Sequence, residues 1–368
     1  MAGPLTLETV AMGDLDARTR DRWLELRSCN PAFESPYHHP DYHALVERHQ
    51  GNVRVTTARR SGEIVALLPW QGGAFARPSG APLSDYQAVI GEDIGVAAML
   101  HGQTVGAFHY TAMTSDGDAA EETARMELSD ADSWRSEQSG SYRRHLKSTR
   151  RRTRKAEEDI GAPRIVTQCR DVDVYDALIG WKRAKFRDTG KYDVLANPAN
   201  NGLLRELWER GPGSGLRADL HALHFGERLV ACDLGLTDGR VFHSWIVGYD
   251  PDMLPYAPGI QLLEGVIDAA SALGYGVIDL GAGKDGYKRH YATHPRRVGA
   301  GVVTLSSPAG LVAAGYDWIE HAMREKTGDA LGKLRRRYSQ IAACEPRLSG
   351  RSAALAQAVA SRLKQPSH

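Results

Sequence analysis

The chain has 368 residues, 42% of them hydrophobic and 25% charged. These are globular proportions over a length that suits two domains, and they exclude long disordered regions. A net charge of +1 excludes a whole-molecule attraction to nucleic acid or anionic membranes, so any electrostatic function must be local.

The four cysteines, Cys29, Cys169, Cys232 and Cys344, are scattered and form no CxxC pair. That usage fits a reducing compartment, and the cytoplasm is the expected location. The first residues carry early acidic groups and no apolar h-region, so a secretory signal is not expected. No apolar run approaches bilayer length, and membrane insertion is not expected either.

In chain order, 15–28 reads as a helix with Trp23, Leu24 and Leu26 on its apolar side, and a second helix starts near Pro40 and Asp41. VRVTTA (53–58) and EIVALLPW (63–70) flank the turn Arg60-Ser61-Gly62 and read as a hairpin. Residues 71–84, rich in Gly, Pro and Ala, read as loop, followed by strand candidates at 88–90 and 104–113. An acidic stretch (Asp116, Asp118, Glu121, Glu122, Glu127, Asp130, Asp132, Glu137) then gives way to a basic one (Arg143, Arg144, Lys147, Arg150, Arg151, Arg152, Arg154, Lys155) that stops at Gly161 and Pro163. This reads as a helical connector. Helices are expected over 173–191 and 201–211. A meander follows at 217–225, 229–237 and 240–249, its last turn marked by Asp238-Gly239. A helix over 260–273 closes at Gly274, and strands are expected at 277–281 and 298–305. The remainder reads as a helical tail.

A strand–helix–strand connection crosses over right-handed, so 240–249 and 277–281 are expected to run parallel. The helix beginning at Pro258-Gly259 then presents free backbone N–H groups and its positive end to an anion such as a pyrophosphate.

These features resemble the GNAT acetyltransferase core. Within it they resemble the branch related to the FemAB peptidyltransferases and to acetyltransferases encoded with bacterial cellulose and exopolysaccharide genes. The residues that carry the resemblance are Tyr249-Asp250-Pro251, Ala257-Pro258-Gly259 with Leu262-Leu263, and above all Asp279-Leu280-Gly281-Ala282-Gly283 followed by Tyr287-Lys288. Arg151-Arg152 with Gly161, and Ser84-Asp85-Tyr86, match more loosely. The resemblance implies an α/β (α+β) fold of tandem GNAT-like lobes, each a mixed sheet flanked by helices. The expected spans are 1–135 for the first lobe, 136–162 for the basic connector, 163–310 for the acyltransferase lobe and 311–368 for the tail.

It also implies direct transfer of an acyl group to an amine or hydroxyl, with acetyl-CoA as donor and a small-molecule or saccharide acceptor. The glycine-rich pyrophosphate signature of ordinary GNAT enzymes is absent, and the Fem-like relatives take aminoacyl-tRNA instead. A tRNA donor is therefore the alternative, and a catalytically inactive binding module is the third reading. DNA is not an expected partner, and the oligomeric state is left open.

The resemblance places Ile246, Val247, Pro258, Gly259, Ile260 and Gln261 at the donor, and Arg151, Arg152, Asp85 and Tyr86 at the acceptor. Each catalytic candidate has two readings. Lys288 either stabilises charge at the carbonyl or is a solvated lysine at a helix start. Asp279 orients Lys288, accepts a proton or caps the following turn. Tyr287 protonates a leaving thiolate or packs at a seam, and His243 is a base or a hydrogen-bonded core histidine. The basic run grips an anion or is a solvated face paired with the acidic run before it. His38, His39, Asp41 and His43 look like metal ligands, but adjacent histidines point apart on either regular element, so no metal is expected.

Overall fold

The computed structural model describes residues 4–114, 121–283, 286–327, 330–345, 349–352 and 355. The chain begins with β1 (Leu5–Ala11), α1 (Ala17–Ser28), α2 (Pro40–Gln50), β2 (Val53–Arg60), β3 (Glu63–Gly72), β4 (Phe75–Pro78), β5 (Ile90–Gly91), α3 (Val96–Met99) and β6 (Ala107–Met113). Next come β7 (Glu121–Glu127), α4 (Ala131–Ser136), α5 (Gly140–Ile160), β8 (Pro163–Val166), α6 (Val172–Asp188) and α7 (Pro198–Glu209). After them run β9 (Arg217–Phe225), β10 (Arg228–Thr237), β11 (Val241–Tyr249), α8 (Pro258–Leu273) and β12 (Val277–Ala282). The last elements are β13 (Arg297–Thr304), α9 (Pro308–Thr327) and α10 (Ala330–Cys344). No helix among the described residues is long and apolar enough to cross a membrane.

The elements form two compact units. Unit 1 takes Met1–Ala120, Phe186–Asn201 and Val298–His368, and unit 2 takes Glu121–Lys185 and Gly202–Arg297. The expected spans of 1–135 and 163–310 cut the chain elsewhere. The strand expected at 298–305 pairs with β6 of unit 1, Val302 opposite His109 and Thr304 opposite Ala107. Segment 121–135 contributes β7, which pairs with β12 of unit 2.

Unit 1 is a mixed sheet. β1, β2, β3 and β4 pair antiparallel in succession, β5 also pairs with β3, and β4 runs parallel to β6. The 71–84 segment, expected as loop, contains β4. The apolar alternation that marks a strand is too short there to outweigh its Gly and Pro. α1 starts at Asp16, whose carboxylate accepts from the Thr19 amide, and buries Trp23. The core gathers Leu68, Trp70, Val89, Met99 and Phe108.

Unit 2 carries the sheet β7-β12-β11-β10-β9-β8, antiparallel except for the β11–β12 pair. Neighbouring residues of a strand point to opposite faces. On β10, Ala231 joins the core formed with Phe242 of β11 and with Leu262, Val266 and Ile267 of α8. Cys232 points the other way, its thiol 3.9 Å from the Val174 carbonyl of α6. α6 comes close because β11 has Gly248 there, where a Cβ would lie 2.8 Å from Leu178 Cδ1.

A buried polar network fastens α8 to its neighbours. Glu264 accepts from Tyr142 (3.1 Å) and Tyr291 (2.8 Å) and pairs with Arg135 (2.9 Å), which also meets Asp268. Burial raises both tyrosines above the ordinary phenol range, so they stay protonated as donors. The basic connector is α5, whose buried stripe Tyr142, Thr149 and Ala156 returns every seven residues.

Gly235 lies opposite Ser244, and a Cβ on it would fall 2.1 Å from the Phe242 ring. Gly235→Ala is expected to destabilise unit 2 by about 1–3 kcal/mol through overpacking, read as a lower urea midpoint at unchanged slope.

Candidate functional site

β11 and β12 are parallel, as expected, but pair at three positions only: Val241–Val277, Phe242–Ile278 and His243–Asp279. Both strands are irregular at that level. On β11, Ser244 opposes Gly235 and Ile246 opposes Leu234, so Trp245 is an inserted, bulged residue. On β12, register with β7 shifts between Asp279 and Ala282, and Gly281 turns at φ +72°. Beyond His243 and Asp279 the strands have no ladder, and unit 2 opens into a fork.

α8 starts beside the opened half of β11. Its N-cap, Ala257, has left-handed backbone and gives no side-chain cap. A Cβ on Gly259 would be 4.0 Å from Val247 Cγ1 and from Tyr249 Cδ1. The helix start, with its positive end, therefore borders the fork. Of the expected donor residues, Val247 lies where a side chain at Gly259 would project. Ile246 and Pro258 are buried, Ile260 is half-buried, and the Gln261 amide donates to the Tyr256 carbonyl at 2.7 Å, tying the preceding turn to the helix.

The expected catalytic residues lie at the base and rim of the fork. His243 and Asp279 are both buried, with Nδ1 3.8 Å from Oδ1. Asp279 Oδ1 also accepts from the Gly281 amide at 2.8 Å, so it caps the turn. Lys288 Nζ donates to the Ala282 carbonyl at 2.9 Å and ties down the chain after β12. Tyr287 packs edge-on against Tyr291, ring centroids 6.4 Å apart. Asp285, and Asp116 and Asp118 of the acidic run, lie outside the described residues.

Three further side chains surround the bulge: Asp233, Ser244 and Lys182. Ser244 Oγ donates to Asp233 Oδ2 at 2.7 Å, and Lys182 Nζ of α6 donates to the Val247 carbonyl at 3.3 Å. Asp233 Oδ1 is buried and makes no hydrogen bond among the described residues. Burial pushes the Asp233 carboxyl up to about 6, partly offset by the Ser244 hydrogen bond and the charges of His243 and Lys182. The sequence carries one signal for it, a carboxylate in the otherwise apolar run LVACDLGLT.

The remaining expected residues lie elsewhere. Arg151 and Arg152 are exposed on α5, and no ion pair joins Arg144, Lys147, Arg150, Arg151, Arg154 or Lys155 to a carboxylate among the described residues. The described part of the acidic run is divided between β7, where Glu127 pairs with Arg125 at 2.7 Å, and α4 with its caps Asp130 and Glu137. In unit 1, Asp85 is exposed while Tyr86 is buried edge-on to Tyr37, and the loop is pinned by Ser84 Oγ on the Ser79 carbonyl. His39 caps α2 and His43 stacks on Trp23, burial pulling its imidazole down to about 3.

Residues 143–289, which include the fork, match the family model of an acetyltransferase (GNAT) domain. On this match the chain is an acyltransferase. No curated protein matches it. Among solved structures it is similar to FemX, at 9% identity and a TM-score of 0.53 over 83% of this chain and 99% of that one. It is also similar to the C-terminal domain of a putative lysylphosphatidylglycerol synthetase from Agrobacterium fabrum, at 12% identity and a TM-score of 0.48 over 84% and 97%. A third is a tandem GNAT protein from the clavulanic acid biosynthesis pathway, at 10% and 0.46 over 82% and 98%. The FemX likeness supports the fold read from the strands, a mixed α/β arrangement of GNAT type.

Asp233 has a stability signature. Its folded pKa lies above the unfolded value of 3.8, so folding takes up a proton between about pH 4 and 6 and stability falls as pH rises through that window. Asp233→Asn removes the cost. Its stability relative to wild type is expected to rise across this window and level off above it, by up to about 3 kcal/mol, in urea titrations run from pH 4 to 8.

Proposed function

We propose that unit 2 transfers an acyl group, most simply acetyl from acetyl-CoA, to an amine or hydroxyl of a polysaccharide-related or amino-sugar acceptor. The observation that carries this is the fork, a parallel pair interrupted after three residues beside an uncapped helix start. The thioester donor supplies an activated carbonyl. Ile246, Val247, Pro258, Gly259, Ile260 and Gln261 form the walls around its entry, and the positive end of α8, with the Gly259 amide, faces its phosphates. The bulge at Trp245 leaves β11 backbone amides to polarise the carbonyl oxygen.

Asp233 is the base in this reading, with His243 beside it. The acceptor nitrogen or oxygen attacks the carbonyl carbon, its proton passes to Asp233, and the C–S bond breaks to release the thiol. Tyr287 is the candidate in this reading for returning a proton to the leaving sulfur. Asp279 and Lys288 hold the β12 loop in place through the Gly281 amide and the Ala282 carbonyl. Arg151, Arg152, Asp85 and Tyr86 remain candidates for the acceptor.

A second reading has a specific basis. Among the described residues no carboxylate pairs with the basic face of α5, and His145 of that helix stacks on His290, two residues after Lys288, at 4.7 Å. A strand of phosphates lying along this face would bring an aminoacyl-tRNA end toward the fork. Filter retention of charged tRNA that falls steeply with salt supports this donor, whereas calorimetric binding of acetyl-CoA without tRNA retention supports the first. Binding of either without turnover leaves the inactive module.

Gly259→Leu is expected to raise the KM for the donor at least tenfold with little change in stability, because the added side chain projects toward Val247 and Tyr249. Asp233→Asn is expected to lower kcat by roughly 100- to 10,000-fold and to abolish a fall in wild-type rate below about pH 6. Steady-state kinetics from pH 5 to 9 checks both.

A further inference from the structure

Unit 1 has a parallel pair of its own that is shorter still. β4 and β6 pair only at Phe75–Ala107 and Ala76–Phe108. Along these strands Arg77 and His109 border a cavity of about 520 Å³. Its floor is Ala76, Ala107 and Val302, and α9 and α10 cover it with Val312, Tyr316 and Ala342. This volume lies within the roughly 300–1,000 Å³ typical of small-molecule sites. Large apolar side chains stand at it in water: Phe75 is 59% exposed, and Leu334 and Tyr338 are also exposed.

The polar groups of this cavity are mostly satisfied. Arg335 is paired with Asp317 (2.8 Å) and Glu320 (3.2 Å). His109 Nδ1 lies 3.4 Å from Ser339 Oγ, and burial beside Arg335 and Arg336 keeps its ring neutral. Arg351 donates to the Glu345 carbonyl at 2.7 Å. Arg77 differs. Its Nε is buried, and its side chain has no hydrogen bond and no ion pair among the described residues. A guanidinium keeps its charge at any physiological pH and carries five donors, so enclosing it without an acceptor is costly. Cys344 and Arg351 are the ionisable groups whose charges act on it, and neither supplies negative charge near neutral pH, since burial raises the Cys344 thiol to about 11.

We propose that this cavity binds a single-chain anionic amphiphile, with its hydrocarbon tail among the apolar residues and its carboxylate or phosphate head on Arg77. The complementarity is twofold: an apolar volume open at an apolar mouth, and a guanidinium, that of Arg77, with neither a hydrogen bond nor an ion pair among the described residues. This site belongs to unit 1 and does not depend on the transfer reaction assigned to unit 2.

Isothermal titration calorimetry of the full chain, with probes held below their micelle concentrations, tests the assignment. Dodecanoate is expected to bind saturably, one per chain, and at least tenfold tighter than octanoate, because the added methylenes are buried. Dodecyl phosphate should bind and dodecyltrimethylammonium should not, and a phosphate head preferred over a carboxylate identifies a phospholipid-type source. Arg77→Met should weaken dodecanoate at least tenfold and leave dodecanol unchanged, Arg77→Lys should recover part of the loss, and Ala342→Trp should remove both by filling the space. Circular dichroism and thermal melts confirm that the variants fold, with Arg77→Lys serving if Arg77→Met does not. Absence of saturable dodecanoate binding, equal affinity for the cationic amphiphile, or dodecanoate affinity unaffected by losing the Arg77 charge overturns the proposal.

Discussion

Unit 2 depends on a ladder that stops after three residues. Parallel strands gain from every added pair, so two strands that begin in register at Val241 and Val277 would be expected to continue. They part because each spends a residue on something else. Trp245 is inserted into β11 against β10, and β12 turns at Gly281 while its register with β7 shifts. Either irregularity alone would leave the other strand free to follow. At the same level they leave backbone groups that are not consumed by the sheet, beside a helix start that has no side-chain cap.

The surrounding chemistry follows from that opening. Asp233 sits next to the bulge, buried, with one oxygen held by Ser244. A core designed for stability alone would have an apolar residue at this point of β10, flanked as it is by Cys232 and Leu234. The Tyr142–Glu264–Tyr291 network differs in kind. Each donor there meets the same carboxylate and Arg135 balances its charge, so the polar groups are absorbed into fixing α8 rather than left available. Buried carboxylates thus serve two ends in one unit, and the difference lies in how fully each is hydrogen-bonded.

Much of unit 2 was legible in the letters because its signals are local. Asp238-Gly239 marks a hairpin, Gly274 a helix end, and Pro258-Gly259 a helix start, each through the backbone conformation those residues favour. β7 was not legible: Glu121, Glu122 and Glu127 read as a charged run, while the residues that make it a strand, Thr123 to Met126, include a buried Arg125 whose charge is met by Glu127. The allegiance of β13 was equally hidden, since nothing in VGAGVVTL says which of two sheet edges it will complete. At the site, the resemblance led to Asp279 and Lys288, which accept from the Gly281 amide and donate to the Ala282 carbonyl and so fix the end of β12. Asp233 was missed because a lone carboxylate in a strand carries no motif, and only the neighbours that bury it reveal its altered acidity.

Unit 1 is written in three pieces along the chain, and this bears on how the protein is made. β6 ends at Met113, yet its partner β13 begins at Arg297. During synthesis the β6 edge stays open while all of unit 2 leaves the ribosome, so the first unit translated cannot be the first completed. Unit 2, drawn from Glu121 to Arg297, has all of its strands available sooner. A fragment ending before β13 would retain the fork intact and leave an unpaired strand edge behind it, a surface prone to intermolecular pairing.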